Sequence, residues 1–299
     1  MSERPRIQIE VADTSGLVKN PHTLFVIRSI QKWCDVSIGP STELMVYSCF
    51  GERHKEFVGP RIKFIGENVR PDFDESDFVI GGDRIQHHNY LRMPMWAWNR
   101  PSRFLMKPTV ARVPEQGEKF CAFVYSNPRC VPRNNLFCAL NRRRFVESSG
   151  AVFNNVSGDI SGRRVKNWRN SKIEYLQQFQ FVVAAENSRY RGYVTEKMID
   201  VFRAGAIPIY WGDRSVTLDF NPGSFVNANK FEAFEAVADH VVELSRDPSA
   251  MHAMRSVAPM SQKQWRRNAS PHRLDMFLHR AVTSLVPRLA DVPPPTETD

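Results

Sequence analysis

Ile7, Ile9 and Val11 alternate with polar residues, the period of a half-buried strand. Asn20-Pro21 then reads as a helix start, with Leu24, Ile27, Ile30 and Trp33 on one face. Val36 and Ile38 mark a second strand, and the apolar runs 43–51, 61–68 and 76–83 add three more. Strands alternating with helices and loops predict an α/β layer around a mainly parallel sheet.

A second block of the same kind begins near Lys119. "KFCAFVYSN" reads as a strand ending in a polar turn, and "PRNNLFCALNRR" as a helix opened by Pro132. "QFQFVVAAEN" (178–187) is a buried strand, "TEKMIDVFRA" (195–204) a helix closed by Gly205, and "AIPIYWGD" (206–213) the next strand. Together they form a β-α-β unit of roughly 35 residues, the building element of nucleotide-binding domains. "FEAFEAVADHVVELSRDP" (231–248) reads as one long helix, and "ADVPPPTETD" as a Pro-rich tail. The prolines and glycine of 106–119 suggest the boundary. The expected organisation is an N-terminal α/β domain over 1–115, a second α/β domain over 116–265, and a C-terminal helix with a flexible tail over 266–299.

A length of 299 residues suits two cores. No apolar run approaches the ~18 residues of a membrane span. The opening MSERPRIQIE has no apolar signal-peptide core, so a cytoplasmic protein is expected. The five cysteines include no Cys-x-x-Cys and lack zinc-site spacing, which points to reduced thiols. Net charge is +9, with basic residues clumped at Arg142–Arg144 and at Arg163, Arg164, Lys166 and Arg169. Such charge favours anionic partners: a phosphorylated substrate, an acidic membrane surface touched peripherally, or nucleic acid. No helix-turn-helix, zinc or RNA-binding signature accompanies it, so nucleic acid is not the expected partner.

The chemistry gathers between Glu186 and Asp213. Glu186 and Asn187 emerge at the C-terminal end of a buried strand, where open α/β sheets hold ligands. Gly192 allows a turn before a helix expected to start near Thr195. The unpaired N–H groups of that helix start welcome an anion, and Lys197 adds a formal charge. Thr195 as a plain cap and Glu196 as a helix-dipole partner are the ordinary alternative. With Asn187 and Tyr193 alongside, Glu196 suits ribose hydroxyls and Lys197 a diphosphate.

"AAENSRYRGYVTEKMIDVFRAGAIPIYWGD" resembles the donor-binding signature of the α-1,3/α-1,4-fucosyltransferases of glycosyltransferase family 10, the bacterial members above all. "RIKFIGENVRPDF", "DFVIGGD", "YLRMP" and "FCAFVYSNPRCVPRNNLFCAL" resemble further family segments in the same order, over roughly 45–260. The resemblance implies a GT-B-like α/β fold, two Rossmann-like domains facing across a cleft. It also implies transfer of L-fucose from GDP-β-L-fucose to a glycan hydroxyl with inversion, O3 of a GlcNAc-type residue being the expected position. Carried onto this chain, Arg133 and Lys197 would face the diphosphate and Glu196 the ribose. Glu186, Asn187, Tyr193 and Thr195 would line the donor site, and Glu67 of "GEN" would be the general base. The donor is a substrate, and no further cofactor or metal is expected.

His87 and His88 compete as bases, but a loop pair of histidines is more often solvated. Asp72-Phe73-Asp74 fits the Asp-x-Asp pattern of metal-dependent sugar transferases, yet lies far in sequence from the donor elements. Ala185 stands where the family usually has Phe, and neither heptad repeats nor a basic tail follow. The alternatives are a related transferase with another nucleotide sugar, a basic surface-binding protein, or an inactive lectin-like relative.

Overall fold

The computed structural model describes residues 4–16, 18–41, 43–98, 103–109, 119–157 and 168–296. The chain forms two compact units, one of 1–100 with 266–299 and one of 101–265. The division falls before the 106–119 segment because 103–109 is tied to the second unit. Thr109 N donates to Arg255 O (2.9 Å) and Met260 N to Leu105 O (2.9 Å).

In the first unit β1 (Arg6–Ala12), α1 (Phe25–Ile30), β2 (Asp35–Ile38), β3 (Leu44–Tyr47), β4 (Arg61–Phe64), β5 (Phe78–Gly81) and β6 (Tyr90–Arg92) follow in order. The sheet order is β2-β1-β3-β4-β5-β6 and every described pair is parallel. β3 and β5 are apolar throughout and buried on both faces, as strands of a covered parallel sheet are. The expected strands 43–51 and 61–68 shorten to 44–47 and 61–64, which leaves Gly66, Glu67 and Asn68 on a loop at the C-terminal edge. The expected first helix breaks into a turn at Pro21–Thr23 and α1, so Trp33 is buried from beyond the helix end.

The second unit runs β7 (Lys119–Phe123), α2 (Val131–Arg143), β8 (Val146–Ser148), α3 (Trp168–Leu176), β9 (Phe179–Ala185), α4 (Lys197–Ala204), β10 (Ile207–Trp211), β11 (Val226–Asn227), α5 (Phe234–Leu244) and α6 (Pro248–Ser256). Its parallel sheet has the order β11-β10-β9-β7-β8. The single helix expected over 231–248 is two. Pro248 opens α6, and the Asp247 carboxylate caps Ala250 N (2.9 Å). Gly205 closes α4 in the left-handed conformation, with φ 79°.

α7 (Gln262–Asn268) leads to α8 (Pro271–Leu285), which packs on α1 in the first unit. Asp275 of α8 accepts from Ser29 Oγ (2.6 Å) and pairs with Lys32. All five cysteines are free thiols. Among the described residues no helix is long and apolar enough to cross a membrane.

The basic clump at 142–144 is largely spent within the unit. Arg142 pairs with Glu235 (2.7 Å) and Arg143 with Asp239 (2.6 Å), both on α5, while Arg144 lies over the Phe120 ring. Arg163, Arg164, Lys166 and the side chain of Arg169 lie outside the described residues.

Candidate functional site

β7 and β9 are neighbours at the middle of the second sheet, and the chain leaves them in opposite directions, toward β8 and toward β10. Their C-terminal ends therefore form a topological switch point, the place where open α/β sheets hold ligands. α2 follows β7 and supplies Arg133; the turn between β9 and α4 supplies Glu186 through Lys197.

Glu186 is completely buried. Its Oε1 accepts from Thr195 N (2.8 Å), and its Oε2 from Thr195 Oγ1 (2.7 Å) and Lys197 Nζ (3.0 Å). The carboxylate thus folds the turn that precedes α4. It also moves the helix start: with Thr195 N and Oγ1 captured, α4 begins at Lys197 rather than Thr195. Thr195 is a buried tether and not a helix cap. Burial would draw the Lys197 ammonium down, but the Glu186 and then Glu196 carboxylates outweigh it and hold it above the ordinary lysine range. A raised lysine stabilises the fold below its unfolded pKa, so this contribution is intact at acid and neutral pH and fades only in strong alkali. Removing one partner of a buried pair strands the other charge. Glu186→Ala is expected to cost about 3–5 kcal/mol in urea unfolding, and a loss near zero would contradict the arrangement.

Gly212, after β10, closes the other side of Glu186. Its φ is 156°, and a Cβ there would stand 2.7 Å from Tyr210 Oη and 2.8 Å from Glu186 Cγ. Gly212→Ala is therefore expected to lower stability by about 1–3 kcal/mol, measured by thermal unfolding.

Arg133 is the largest fully buried side chain among the described residues. Its Nη1 donates to Asn187 Oδ1 (2.8 Å), its other Nη to Asn127 O, and its guanidinium lies 4.1 Å from the Tyr125 ring centroid. Nε is buried without a hydrogen-bond partner, and no described carboxylate pairs with the group. Tyr125 is itself fixed: its hydroxyl donates to Val183 O (2.8 Å) and accepts from Ala185 N (2.8 Å), and burial pushes its pKa up to about 12. Tyr193 is buried beside Lys197, whereas Asn187 is exposed and Glu196 half-buried at the start of α4.

The structure thus brings together Arg133, Glu186, Asn187, Tyr193, Thr195, Glu196 and Lys197. Three partners went unread in the sequence: Tyr125, Asn127 and Arg189. Arg189 lies over the Trp211 ring (4.8 Å) and donates to Asn229 Oδ1 (3.1 Å). The aromatic in "FVYSN" and the arginine beside "EN" were the available signals.

Glu67 belongs to the first unit, exposed on the loop after β4. Trp98 presses on Gly66, where a Cβ would meet the ring at 2.7 Å, and Arg70 binds both Asn68 Oδ1 and Asp83. These contacts order the Gly66–Arg70 loop. His87 stacks on Phe73 with centroids 3.7 Å apart and receives Asn89 N on Nδ1, a local structural role. Asp72 Oδ1 accepts from Asp74 N (2.9 Å), an ordinary loop cap.

The chain has clear relatives. The family model described as glycosyltransferase family 10 (fucosyltransferase) C-term matches residues 114–280, and that for the α-(1,3)-fucosyltransferase FucT N-terminal domain matches 10–99. The α-(1,3)-fucosyltransferase FucT of Helicobacter pylori is 34% identical over 224 residues, covering 64% of this chain and 45% of that protein. This chain spans less than half the length of such curated relatives. A crystal structure of an α1,3-fucosyltransferase with GDP-fucose matches at a TM-score of 0.76 and 25% identity, covering 94% of this chain and 92% of that one. A structure of an α1,3-fucosyltransferase with GDP matches at 0.76 and 26% identity, covering 94% and 91%. The fold is GT-B-like, built from two parallel-sheet α/β units. With its C-terminal family model covering more than half of the sequence, the chain belongs to glycosyltransferase family 10, the fucosyltransferases.

Proposed function

We propose that this protein transfers L-fucose from GDP-β-L-fucose to a hydroxyl of a glycan acceptor, O3 of a GlcNAc-type residue, with inversion at the anomeric carbon. The observation that carries the reading is Arg133: a fully buried guanidinium in the first turn of α2, at the sheet's switch point, with no carboxylate partner among the described residues. A buried cation without an acid calls for an anionic ligand. The helix start offers N–H groups and the positive dipole end to the same anion. The kinship to α-(1,3)-fucosyltransferases, one solved with GDP-fucose, supports a nucleoside diphosphate as that anion.

Each residue then has a task. Arg133 and Lys197 stabilise the diphosphate as GDP departs with growing negative charge. Glu196 accepts from the ribose hydroxyls, and Asn187 and Tyr193 line the donor pocket. Glu186 and Thr195 set the turn that aims Lys197. Glu67 takes the proton of the acceptor hydroxyl as that oxygen attacks the anomeric carbon. One displacement breaks the fucose–phosphate bond and inverts the centre, so no enzyme nucleophile and no bound cofactor enter. The five free thiols favour a cytoplasmic setting, with peripheral contact to an acidic membrane as an additional partner.

Thermal-shift titration with GDP-fucose, GDP-mannose and UDP-sugars tests the donor. Stabilisation by GDP-fucose above the others is expected. Equal or greater stabilisation by UDP-sugars would point to a different donor.

A further inference from the structure

Phe153, in the loop after β8, is held in a conformation that a phenylalanine rarely adopts. Its φ is 54°. The other described non-glycine residue with positive φ is Asp13, a type that tolerates that region. For a bulky side chain the left-handed conformation is costly, and it persists only where neighbours impose it. Here they do. Ser148 Oγ donates to Val152 O (2.7 Å), just before Phe153. Asn155, two residues after it, donates from N to Ser148 O (3.0 Å) and from Nδ2 to Val146 O (2.9 Å). The loop is pinned to the end of β8 on both sides of Phe153.

The strain delivers a ring with one face covered and the other open. Phe153 stacks on Phe137 with centroids 4.8 Å and planes 11° apart, yet it stays 43% exposed. A near-parallel stack covers one face, so the exposure falls on the far face and the edge. A ring kept open at the cost of backbone strain points to a planar partner on that face.

Contacts tie this ring to the buried Arg133 guanidinium. Phe137 follows Arg133 by four residues on α2, one turn along the same face. Phe123, the last residue of β7, lies 4.8 Å from Phe137, 6.2 Å from Phe153 and 4.6 Å from Tyr125, all between ring centroids. Tyr125 is the ring that carries Arg133 at 4.1 Å. Val152 N donates to Tyr125 O (3.0 Å), and Gly150 lies so close to the Tyr125 backbone that a Cβ would strike it. Phe123 and Ser148 are register partners, so the loops after β7 and β8 leave the C-terminal edge of one sheet side by side. An open aromatic face and a buried cation thus stand at the same edge of the same unit. A nucleoside diphosphate carries the matching pair, a planar base and an anionic diphosphate.

We propose that Phe153 is the stacking platform for the base of the nucleoside diphosphate. The base is the guanine of GDP-fucose under the transfer reading above, on which the identity of the ligand rests. Every base has a π-face, so the ring supplies affinity rather than the choice of base.

Calorimetric titration of the full chain with GDP and with inorganic pyrophosphate, which lacks the base, tests this. Phe153→Leu keeps an apolar side chain against Phe137 but removes the π-face. It should weaken GDP roughly 5–150-fold, the worth of one stacked base, and leave pyrophosphate within about twofold. Phe153→Trp should bind GDP at least as tightly as the unmodified protein. Unchanged GDP affinity in Phe153→Leu overturns the proposal. So does an equal loss for both ligands, which would show that the ring only supports the loop beside Arg133. Fluorescence adds a reading that needs no loss of binding. In Phe153→Trp, GDP should quench tryptophan emission beyond its effect on the unmodified protein, and pyrophosphate should not; equal quenching by GDP in the two proteins overturns the proposal. If the unmodified protein binds neither ligand, the donor reading falls as well. If it binds GDP and only the Phe153 variants behave otherwise than expected, the donor reading stands and the base lies elsewhere.

Discussion

Glu67→Gln should lower fucosyl transfer by about 10²–10⁴-fold, the usual worth of one positioned base, while GDP affinity stays within about twofold. The substitution keeps the shape of the side chain and removes only its capacity to accept a proton. The loop that carries it is held by Trp98 against Gly66 and by the bonds of Arg70 to Asn68 and Asp83. Thermal unfolding of the variant separates a lost base from a disturbed loop. The pH profile adds a signature. A carboxylate base must be ionised to work, so kcat/KM should fall on the acid side in the unmodified protein, and that limb should vanish in Glu67→Gln. A variant with near-normal turnover would move the base elsewhere.

Arg133→Lys should lower kcat/KM by about 10²–10³-fold, the scale seen when one preorganised donor to a developing charge is removed. Lysine keeps the charge but not the fork: one branch of Arg133 holds Asn187 Oδ1, another Asn127 O, and the plane rests on Tyr125. GDP affinity should fall with it, because the diphosphate is bound in the ground state too. The loss should exceed that of Lys197→Ala, since Lys197 is already neutralised by Glu186 at 3.0 Å. If Arg133→Lys binds GDP as tightly as the unmodified protein, the diphosphate lies elsewhere.

Much of the second unit was legible because its signals are local. The all-buried strand 179–185, the amphipathic α4 and Gly205 at its end each follow from a few neighbouring residues. The roles inside the site were less so. Glu186 reads as a ligand-facing carboxylate at a strand end, yet its oxygens are consumed by Thr195 and Lys197, nine and eleven positions on. Periodicity does not reveal a loop that folds back on its own strand. Arg142 and Arg143 read as a solvent-facing basic patch, because their partners Glu235 and Asp239 lie more than ninety positions away on α5. The break in the long helix is encoded in Asp247-Pro248, a cap and a first-turn proline that override the apolar period running through them. Tyr125 gains its meaning only when β7 and β9 pair and its hydroxyl meets Ala185 N.

The central claim, fucosyl transfer with inversion, is tested most directly by incubating the protein with GDP-β-L-fucose and a panel of neutral and acidic N-acetyllactosamine acceptors, and reading the products by NMR. An α-L-fucosyl residue on O3 of the GlcNAc unit is the predicted result. A β-fucoside would contradict inversion, and transfer from another nucleotide sugar with GDP-fucose left unused would contradict the donor.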